Sequence, residues 1–156
     1  MPSAWRIVKA RRVATAFDGE GARLYGGRWT SAGRPAVYVS TTVALAVLEM
    51  LVHLGDVAPL PAYVLFELSI PEELISAVDI GVLPRNWPDS PPPPALQAIG
   101  DEWLDSGRSA VLRVPSAVAR IEFNYLLRPA HADFRKIGIG AQRPFALDRR
   151  LHRRGA

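Results

Sequence analysis

The stretch "PAVYVSTTVALAVLEMLVHLG", residues 35–55, decides the fold class because a strand pattern runs directly into a helix pattern. Residues 35–40 alternate β-branched and aromatic residues between Arg-Pro and Ser-Thr-Thr, which is typical of a short strand. Two threonines then precede a long apolar segment that ends at Gly55, as expected at the two ends of a helix. We predict a strand over residues 35–40 and a helix over residues 41–55.

Working outward from this pair, the chain continues to mix strand and helix patterns. Strands are predicted over residues 4–10, 62–70, 109–116, 122–129 and 143–151. Helices are predicted over residues 71–77 and 94–107, with a brief extended piece over 78–83. Six prolines in residues 84–94 exclude a helix or a central strand there and predict an extended surface connection. We therefore predict an α+β domain with mixed β-sheets, in which strands outnumber helices.

Length and composition limit the classes of protein. With 156 residues, of which 49% are apolar, the chain is expected to fold as one domain, residues 1–156, with its own core. The longest apolar run is too short for a membrane span and carries a charge, and no signal peptide is recognised, so a cytoplasmic protein is expected. The absence of cysteine excludes disulfides, and three scattered histidines give no metal-ligand spacing, so we expect no metal.

The net charge of +4 belongs to the two ends of the chain. Residues 1–12 and 149–154 each carry four basic residues and no acidic ones, so the middle is acidic. The run "RRLHRR", residues 149–154, overlaps the basic tail that we predict over residues 152–156. Such a run is typical of a solvated terminus, and no nucleic-acid-binding signature accompanies it. We expect no direct contact with nucleic acid.

Arg28 lies in "GARLYGGRWTSAG", residues 21–33, which is unusually rich in glycine and arginine. Gly26 and Gly27 allow the backbone to approach a ligand closely, and a guanidinium binds phosphate oxygens bidentately, so the sequence suits an anion such as a pyrophosphate. It matches neither a Rossmann nor a Walker motif. A turn whose arginine pairs with an acidic residue is the alternative.

Glu49 is the only charged residue in the run from Val43 to Val52. The helix is apolar on nearly all sides, so we expect the carboxylate to be buried, which is costly unless the group is paired or used. The alternative is a rim position with a weak surface pair to His53, four residues later.

These pieces, taken in order, resemble the RES-domain family, which is named for its Arg, Glu and Ser. The resemblance rests on "WRI", "GARLYGGRWTSAG", "AVYVS", "ALAVLE", "VPSAV", "EFNYLLRPAH" and "FALDRRL", and extends from Trp5 to Leu151. It implies a fold similar to ADP-ribosyltransferases, NAD⁺ as the substrate, and a role as the toxin of a bacterial toxin–antitoxin pair. The site residues that it implies are Arg28, Tyr38, Glu49 and Ser116, with Arg6, Tyr25 and His131 as further NAD⁺ contacts.

The resemblance also implies roles for these residues. Arg28 would clamp the pyrophosphate, Tyr38 would stack on the nicotinamide, and Glu49 would stabilise an oxocarbenium-like ribose. Ser116 would donate a hydrogen bond to substrate or phosphate, although a serine after Pro115 also suits a turn cap. Thr30 and Arg128 depart from the asparagines common in the family, which bears on specificity more than on the class of activity.

The acceptor that attacks the ribose stays open at this point. Inorganic phosphate as co-substrate, water, and a protein side chain share one donor site, and phosphate is favoured because the site would be rich in arginine. The resemblance further implies a helix-turn-helix antitoxin that covers the NAD⁺ pocket, and self-association is an open alternative. From another class, a non-catalytic module could hold a nucleotide or nucleic-acid phosphate with the same loop.

Overall fold

A curled mixed sheet runs through the protein, whose computed structural model describes residues 1–54 and 60–151. The described strands are β1 (Ser3–Lys9), β2 (Val37–Ser40), β3 (Tyr63–Ser69), β4 (Ile75–Ala77), β5 (Val111–Pro115), β6 (Phe123–Leu127), β7 (Gly138–Ile139) and β8 (Arg143–Phe145). Their order is β4-β5-β6-β2-β1-β3-β7, and β8 also pairs with β3. β4 and β5 are parallel, whereas the other pairs are antiparallel.

Three α-helices accompany the sheet in the described residues: α1 (Glu20–Tyr25), α2 (Val43–Leu54) and α3 (Pro94–Ser106). Thr42 begins α2, because its Oγ1 accepts a hydrogen bond from the Leu45 amide at 3.0 Å. Gly107 ends α3 in the left-handed conformation, with φ of 61°. Short 3₁₀ turns lie at Ala10–Thr15, Glu72–Leu74, Ile80–Val82, Ala132–Lys136 and Arg149–Leu151.

The alternation of side chains along the strands divides the core between the two faces of the sheet. On one face, a cluster joins residues of β2 and β6 (Val37, Val39, Tyr125 and Leu127) with three residues of β3, Val64, Phe66 and Leu68. On the other, Leu112, Val114 and Leu126 pack with Leu96 and Trp103 of α3 and with Trp29 of the glycine–arginine loop. Ser40 of β2 and Asn124 of β6 occupy strand positions of this second face, so polar groups interrupt an otherwise apolar surface.

The predicted α+β fold class is confirmed, and most predicted elements are present. The strands predicted over 4–10, 35–40, 62–70, 109–116 and 122–129, and the helices over 41–55 and 94–107, match β1, β2, β3, β5, β6, α2 and α3. The helical start at residue 94 takes Pro94 out of the predicted proline connection. The predicted helix end at Gly55 and the tail 152–156 lie outside the described residues.

Three predictions were wrong in part. Residues 71–77 form a single 3₁₀ turn followed by β4, because Ile75 and its neighbours pair with β5 instead of continuing a helix. Residues 78–83 contain the turn Ile80–Val82, which the Asp79 side chain caps through the Gly81 amide. The last predicted strand is limited to β8, since Asp148 caps a turn at Arg150. The short elements α1 and β7 were not predicted.

None of the helices in the described part of the chain combines the length and apolar character that crossing a bilayer requires.

Candidate active site

Glu49 lies on α2 where the helix crosses the second face of the sheet. Its Oε1 accepts hydrogen bonds from Ser116 Oγ at 2.7 Å and from Asn124 Nδ2 at 3.0 Å. In the described residues no hydrogen bond reaches Oε2. The carboxylate is therefore held through one oxygen, and the other is available to a ligand.

Glu49 is only half-buried, which corrects the predicted burial. The physical reason is that α2 buries only Leu45 and Ala46 completely, whereas Leu48 and Val52 are exposed. The alternative pairing with His53 is not formed either. The two hydrogen bonds that Glu49 accepts in the described residues come from Ser116 and Asn124.

Ser116 is fully buried at the end of β5. Its hydroxyl oxygen accepts from the amides of Val118 at 3.2 Å and Ala119 at 3.0 Å, so the serine caps the turn between β5 and β6. The hydroxyl proton is directed at Glu49. The alternative of a turn cap is confirmed, and the hydroxyl donates to the Glu49 carboxylate, while a role of Ser116 toward substrate or phosphate stays a prediction.

Asn124 is a site residue that the sequence analysis missed. It is the second residue of β6, in register with Ser40 of β2 and Val114 of β5. Its Oδ1 accepts from Ser40 Oγ at 2.7 Å while its Nδ2 donates to Glu49. Asparagine is depleted in strands, so its place between apolar residues in "EFNYLL" was the signal that could have found it.

Arg28 faces the same region from the glycine–arginine loop. Its Nη1 donates to the carbonyl oxygens of Trp87 at 3.0 Å and Asp89 at 2.8 Å, both in the proline-rich connection. Partial burial lowers the pKa of Arg28, and attraction by the Glu49 and Asp89 carboxylates opposes that shift. The predicted alternative of an acid-paired turn is not formed in the described residues, because carbonyls and not carboxylates hold the guanidinium.

Two side chains of α3 hold the loop that carries Arg28. Gln97 Nε2 donates to the carbonyls of Gly27 at 3.0 Å and Thr30 at 3.3 Å. Asp101 accepts from the amide and hydroxyl of Ser31. Gly26 takes φ of 70°, which a side chain would resist, so this glycine is required by the turn.

Tyr38 supports the loop from the sheet. Its hydroxyl forms a hydrogen bond with Thr30 Oγ1 at 2.8 Å and accepts one from the Trp29 amide at 3.4 Å. Its ring packs against the second cluster. Burial raises the pKa of Tyr38, while the Thr30 and Trp29 hydrogen bonds act in the opposite direction. Thr30, the departure from the family pattern, is fully buried and serves this contact.

Arg6 lies where β1 and β2 separate, since the two strands share one registered pair, Trp5 with Ser40. Its Nε donates to Ala16 O and its Nη1 to Tyr38 O, both at 2.8 Å, so the side chain bridges the gap between the strands. Burial lowers the pKa of Arg6 to about 10, and attraction by Asp18 opposes the shift. Two of its three nitrogens are committed to the backbone.

In the described residues, neither Tyr25 nor His131 forms a hydrogen bond with Glu49. Tyr25 ends α1 immediately before the Arg28 loop and is 84% exposed. His131 contacts Gly107 O through Nε2 at 2.9 Å and accepts the Asp133 amide at Nδ1, so both ring nitrogens serve the backbone. It neighbours the start of β5, whereas Ser116 follows the end of that strand.

Arg28 and Glu49 lie close enough for their charges to interact, so the site holds one anchored cation and one anchored anion. Each side chain is tethered by part of its polar end, leaving Arg28 Nη2 and Glu49 Oε2 for a ligand that carries both negative and positive charge. Within residues 1–54 and 60–151, no three His, Asp or Glu side chains come close enough to share a metal ion.

The fold and the site define a class of α+β protein with a curled mixed sheet and an Arg–Glu–Ser site. The family model described as "RES domain" matches residues 3–148, and the chain belongs to the RES-domain family. It is 44% identical to "Toxin Res" of Photorhabdus laumondii, over 94% of this chain and 95% of the relative. It is 37% identical to "Prs ADP-ribosylating toxin" of Sphingobium sp. (strain YBL2), over 97% and 98%.

A solved structure shares the fold. A chain of the M. tuberculosis MbcT-MbcA toxin–antitoxin complex superposes with a TM-score of 0.76, covering 92% of this chain and 83% of that one. At 17% identity, the likeness concerns the fold.

Proposed function

We propose that this chain is the toxin of a toxin–antitoxin pair and that it cleaves the bond between nicotinamide and ribose in NAD⁺. The observation that carries the proposal is the proximity of the Arg28 guanidinium and the Glu49 carboxylate, each held through one atom and open at another. NAD⁺ presents matching groups: an anionic pyrophosphate and a cationic ribosyl-nicotinamide. The relatives named as toxins, one of them ADP-ribosylating, support the same class of chemistry.

In the proposed mechanism Arg28 binds the pyrophosphate and Glu49 Oε2 faces the ribose. Breaking the bond between the anomeric carbon and nicotinamide sends the electron pair to the ring nitrogen, so nicotinamide leaves neutral and needs no general acid. Positive charge then develops on the ribose, where the fixed carboxylate stabilises it. The acceptor oxygen forms the new bond to that carbon; a phosphate oxygen attacks as an anion, whereas water or a hydroxyl group would release its proton to solvent.

The other predicted residues take different parts in this proposal. Tyr38 supports the Arg28 loop beside the NAD⁺ site, and Tyr25 stands at the entrance of that site. Ser116 acts on Glu49 and not on the substrate. Arg6 supplies positive electrostatic potential next to β2. We leave His131 out of the site because both of its ring nitrogens form hydrogen bonds with the backbone.

For the acceptor we propose inorganic phosphate, giving ADP-ribose 1''-phosphate. Transfer to a protein is a second candidate, and the relative named as a Prs ADP-ribosylating toxin favours it. Purified protein incubated with NAD⁺, with and without phosphate, distinguishes the products by mass spectrometry. Plain ADP-ribose formed at the same rate without phosphate would rule out phosphorolysis, and ADP-ribose attached to a protein would establish transfer.

Matched variants separate an enzyme from a binding module. Glu49→Gln keeps the shape of the side chain and removes its charge, so an enzyme loses NAD⁺ cleavage and growth arrest. A module that only binds phosphate is unaffected by Glu49→Gln but is weakened by Arg28→Ala. Full toxicity of Glu49→Gln would disprove the catalytic assignment.

A partner that covers the Arg28–Glu49 site follows from toxicity. The exposed apolar side chains of Tyr25, Leu48, Val52, Val118 and Ile121 belong to segments that border Arg28, Glu49 and Ser116. We propose that a helix-turn-helix antitoxin packs on this rim, as the fold shared with a toxin–antitoxin complex supports. Coexpression with the neighbouring gene product should restore growth and protect NAD⁺.

A further inference from the structure

Asn124 has no role in the proposed chemistry, yet it makes one of the two hydrogen bonds that hold Glu49. We infer that Asn124 is a positioning residue for Glu49 and that Ser40 fixes the direction in which the Asn124 amide points. The inference rests on the proposed function, because it assigns the groups that aim the carboxylate at the ribose.

Hydrogen-bond chemistry determines the direction of the amide. Ser40 Oγ donates to Asn124 Oδ1 at 2.7 Å, so the carbonyl end of the amide faces β2. The Nδ2 end then faces Glu49 and donates to Oε1 at 3.0 Å. The reversed amide would place its carbonyl oxygen against a carboxylate oxygen, leaving two acceptors without a proton between them.

The sheet fixes the position of the hydrogen-bonded series Ser40–Asn124–Glu49, which we call the relay. Asn124 is paired with Ser40 on one side and with Val114 on the other, so two ladders hold its backbone. Ser40 is buried, and it is the residue of β2 that pairs with Asn124. The relay Ser40–Asn124–Glu49 therefore starts from a rigid part of the fold and ends on a half-exposed helix side chain.

The relay selects which carboxylate oxygen meets the substrate. Ser116 and Asn124 both donate to Oε1 and approach from the sheet, which orients the carboxylate plane and leaves Oε2 outward. Losing Asn124 leaves a single donor, about which the carboxylate can rotate. Because catalysis depends on alignment in the transition state more than on ground-state affinity, the loss should appear in kcat.

The test uses paired variants in the NAD⁺ cleavage assay. Asn124→Leu removes the amide with little change of shape, and we expect kcat to fall about 10- to 100-fold, as for a misaligned group, with KM nearly unchanged. Asn124→Asp should do more harm, since a second carboxylate would face Glu49. Ser40→Ala should lower kcat less, and Ser40→Thr, which keeps the hydroxyl, should recover most of it.

A second measurement does not need activity. The side-chain amide signals of Asn124 in ¹⁵N NMR should shift on Glu49→Ala and on Ser40→Ala, but not on Leu24→Ala, an exposed change on α1. Unchanged signals, or full kcat in both Asn124→Leu and Ser40→Ala, would overturn the inference. A rise in KM matching the fall in kcat would show that Asn124 contacts substrate instead. A parent protein that never cleaves NAD⁺ refutes the proposed function alone, and the NMR result then decides the relay.

Discussion

Gly100 of α3 packs directly against the carbonyl of Trp29, so closely that a Cβ on this glycine would overlap the carbonyl oxygen. Trp29 follows Arg28, and its ring is buried in the second cluster. The helix can therefore approach the arginine loop only because residue 100 has no side chain. A glycine in the middle of a helix, normally unfavourable, thus determines where Arg28 lies.

Gly100→Ala should therefore destabilise the protein and displace the arginine loop. Alanine is worth about 1 kcal/mol more than glycine in a helix, but a clash with backbone cannot be relieved by a rotamer change. We expect a net loss of about 1–3 kcal/mol in unfolding free energy, as for overpacked cores, together with weaker NAD⁺ binding. Urea unfolding and KM measure both effects.

Gly21→Ala is the matched control. Gly21 also lies in a helix, but a Cβ there would meet nothing within 4 Å. This variant should be neutral or slightly stabilising, with normal KM. Equal stability of the two variants would contradict the packing of Gly100 against Trp29.

A second close approach joins Gly27 to Tyr38. A Cβ on Gly27 would lie 2.5 Å from the Tyr38 hydroxyl oxygen and 2.9 Å from Cζ, and that hydroxyl is already anchored to Thr30. Gly27→Ala should raise KM by displacing Arg28. Tyr38→Phe removes the nearest atom, so the double variant should lose less than the sum of the single losses, by about 0.5–3 kcal/mol in a double-mutant cycle. Strict additivity would show that the two residues do not meet.

His131 is expected to stabilise the fold without affecting the chemistry. His131→Ala removes a helix cap to the Asp133 amide and a bond to Gly107 O. The loss should be about 1–2 kcal/mol of unfolding free energy, with kcat and KM unchanged. The exposed His53, replaced by alanine, should change stability by no more than about 0.5 kcal/mol. A fall in kcat for His131→Ala, below its melting temperature, would return this residue to the site.

Sequence patterns predicted the regular elements well because their information is local. The alternation of β3 and the capped apolar run of α2 require no knowledge of distant residues. The 3₁₀ turn and strand at residues 72–77 were mispredicted as a helix because pairing with β5, more than thirty residues away, decides their conformation. The same limit applies to the burial of Glu49, which depends on what α2 packs against.

The site could be predicted in its residues but less well in their connections. Nothing near Asn124 in sequence points to Glu49, 75 positions earlier, and only the register of β2 with β6 brings Ser40 beside it. Likewise, the role of the proline-rich connection as an acceptor for Arg28 rests on the backbone carbonyls of Trp87 and Asp89. Backbone acceptors carry no residue-type signal.

The three tyrosines with raised pKa values should make the free energy of unfolding fall as pH rises above about 10, the ordinary tyrosine pKa. The lowered pKa of Arg6, about 10, opposes this fall, because above that pH the unfolded chain keeps a proton that the folded state releases. Burial raises the pKa of Tyr38, Tyr63 and Tyr125, so the folded state keeps protons that the unfolded chain releases. The stabilising contribution is complete below the unfolded pKa and is lost as pH rises through the folded values. Urea unfolding at pH values from about 8 to about 11, a range that spans that pKa, measures how the free energy of unfolding changes with pH.

Two variants identify the groups responsible for that slope. Tyr63 OH is buried without a hydrogen-bond partner in the described residues. At neutral pH, Tyr63→Phe should therefore leave the free energy of unfolding unchanged or raise it by up to about 1–3 kcal/mol. Tyr38→Phe should instead cost about 1 kcal/mol, because it loses the Thr30 contact. Both should flatten the decline above pH 10, since each removes one proton that only the folded state retains. An unchanged slope in both variants would mean that neither phenol is held neutral by burial, whatever their effects at neutral pH.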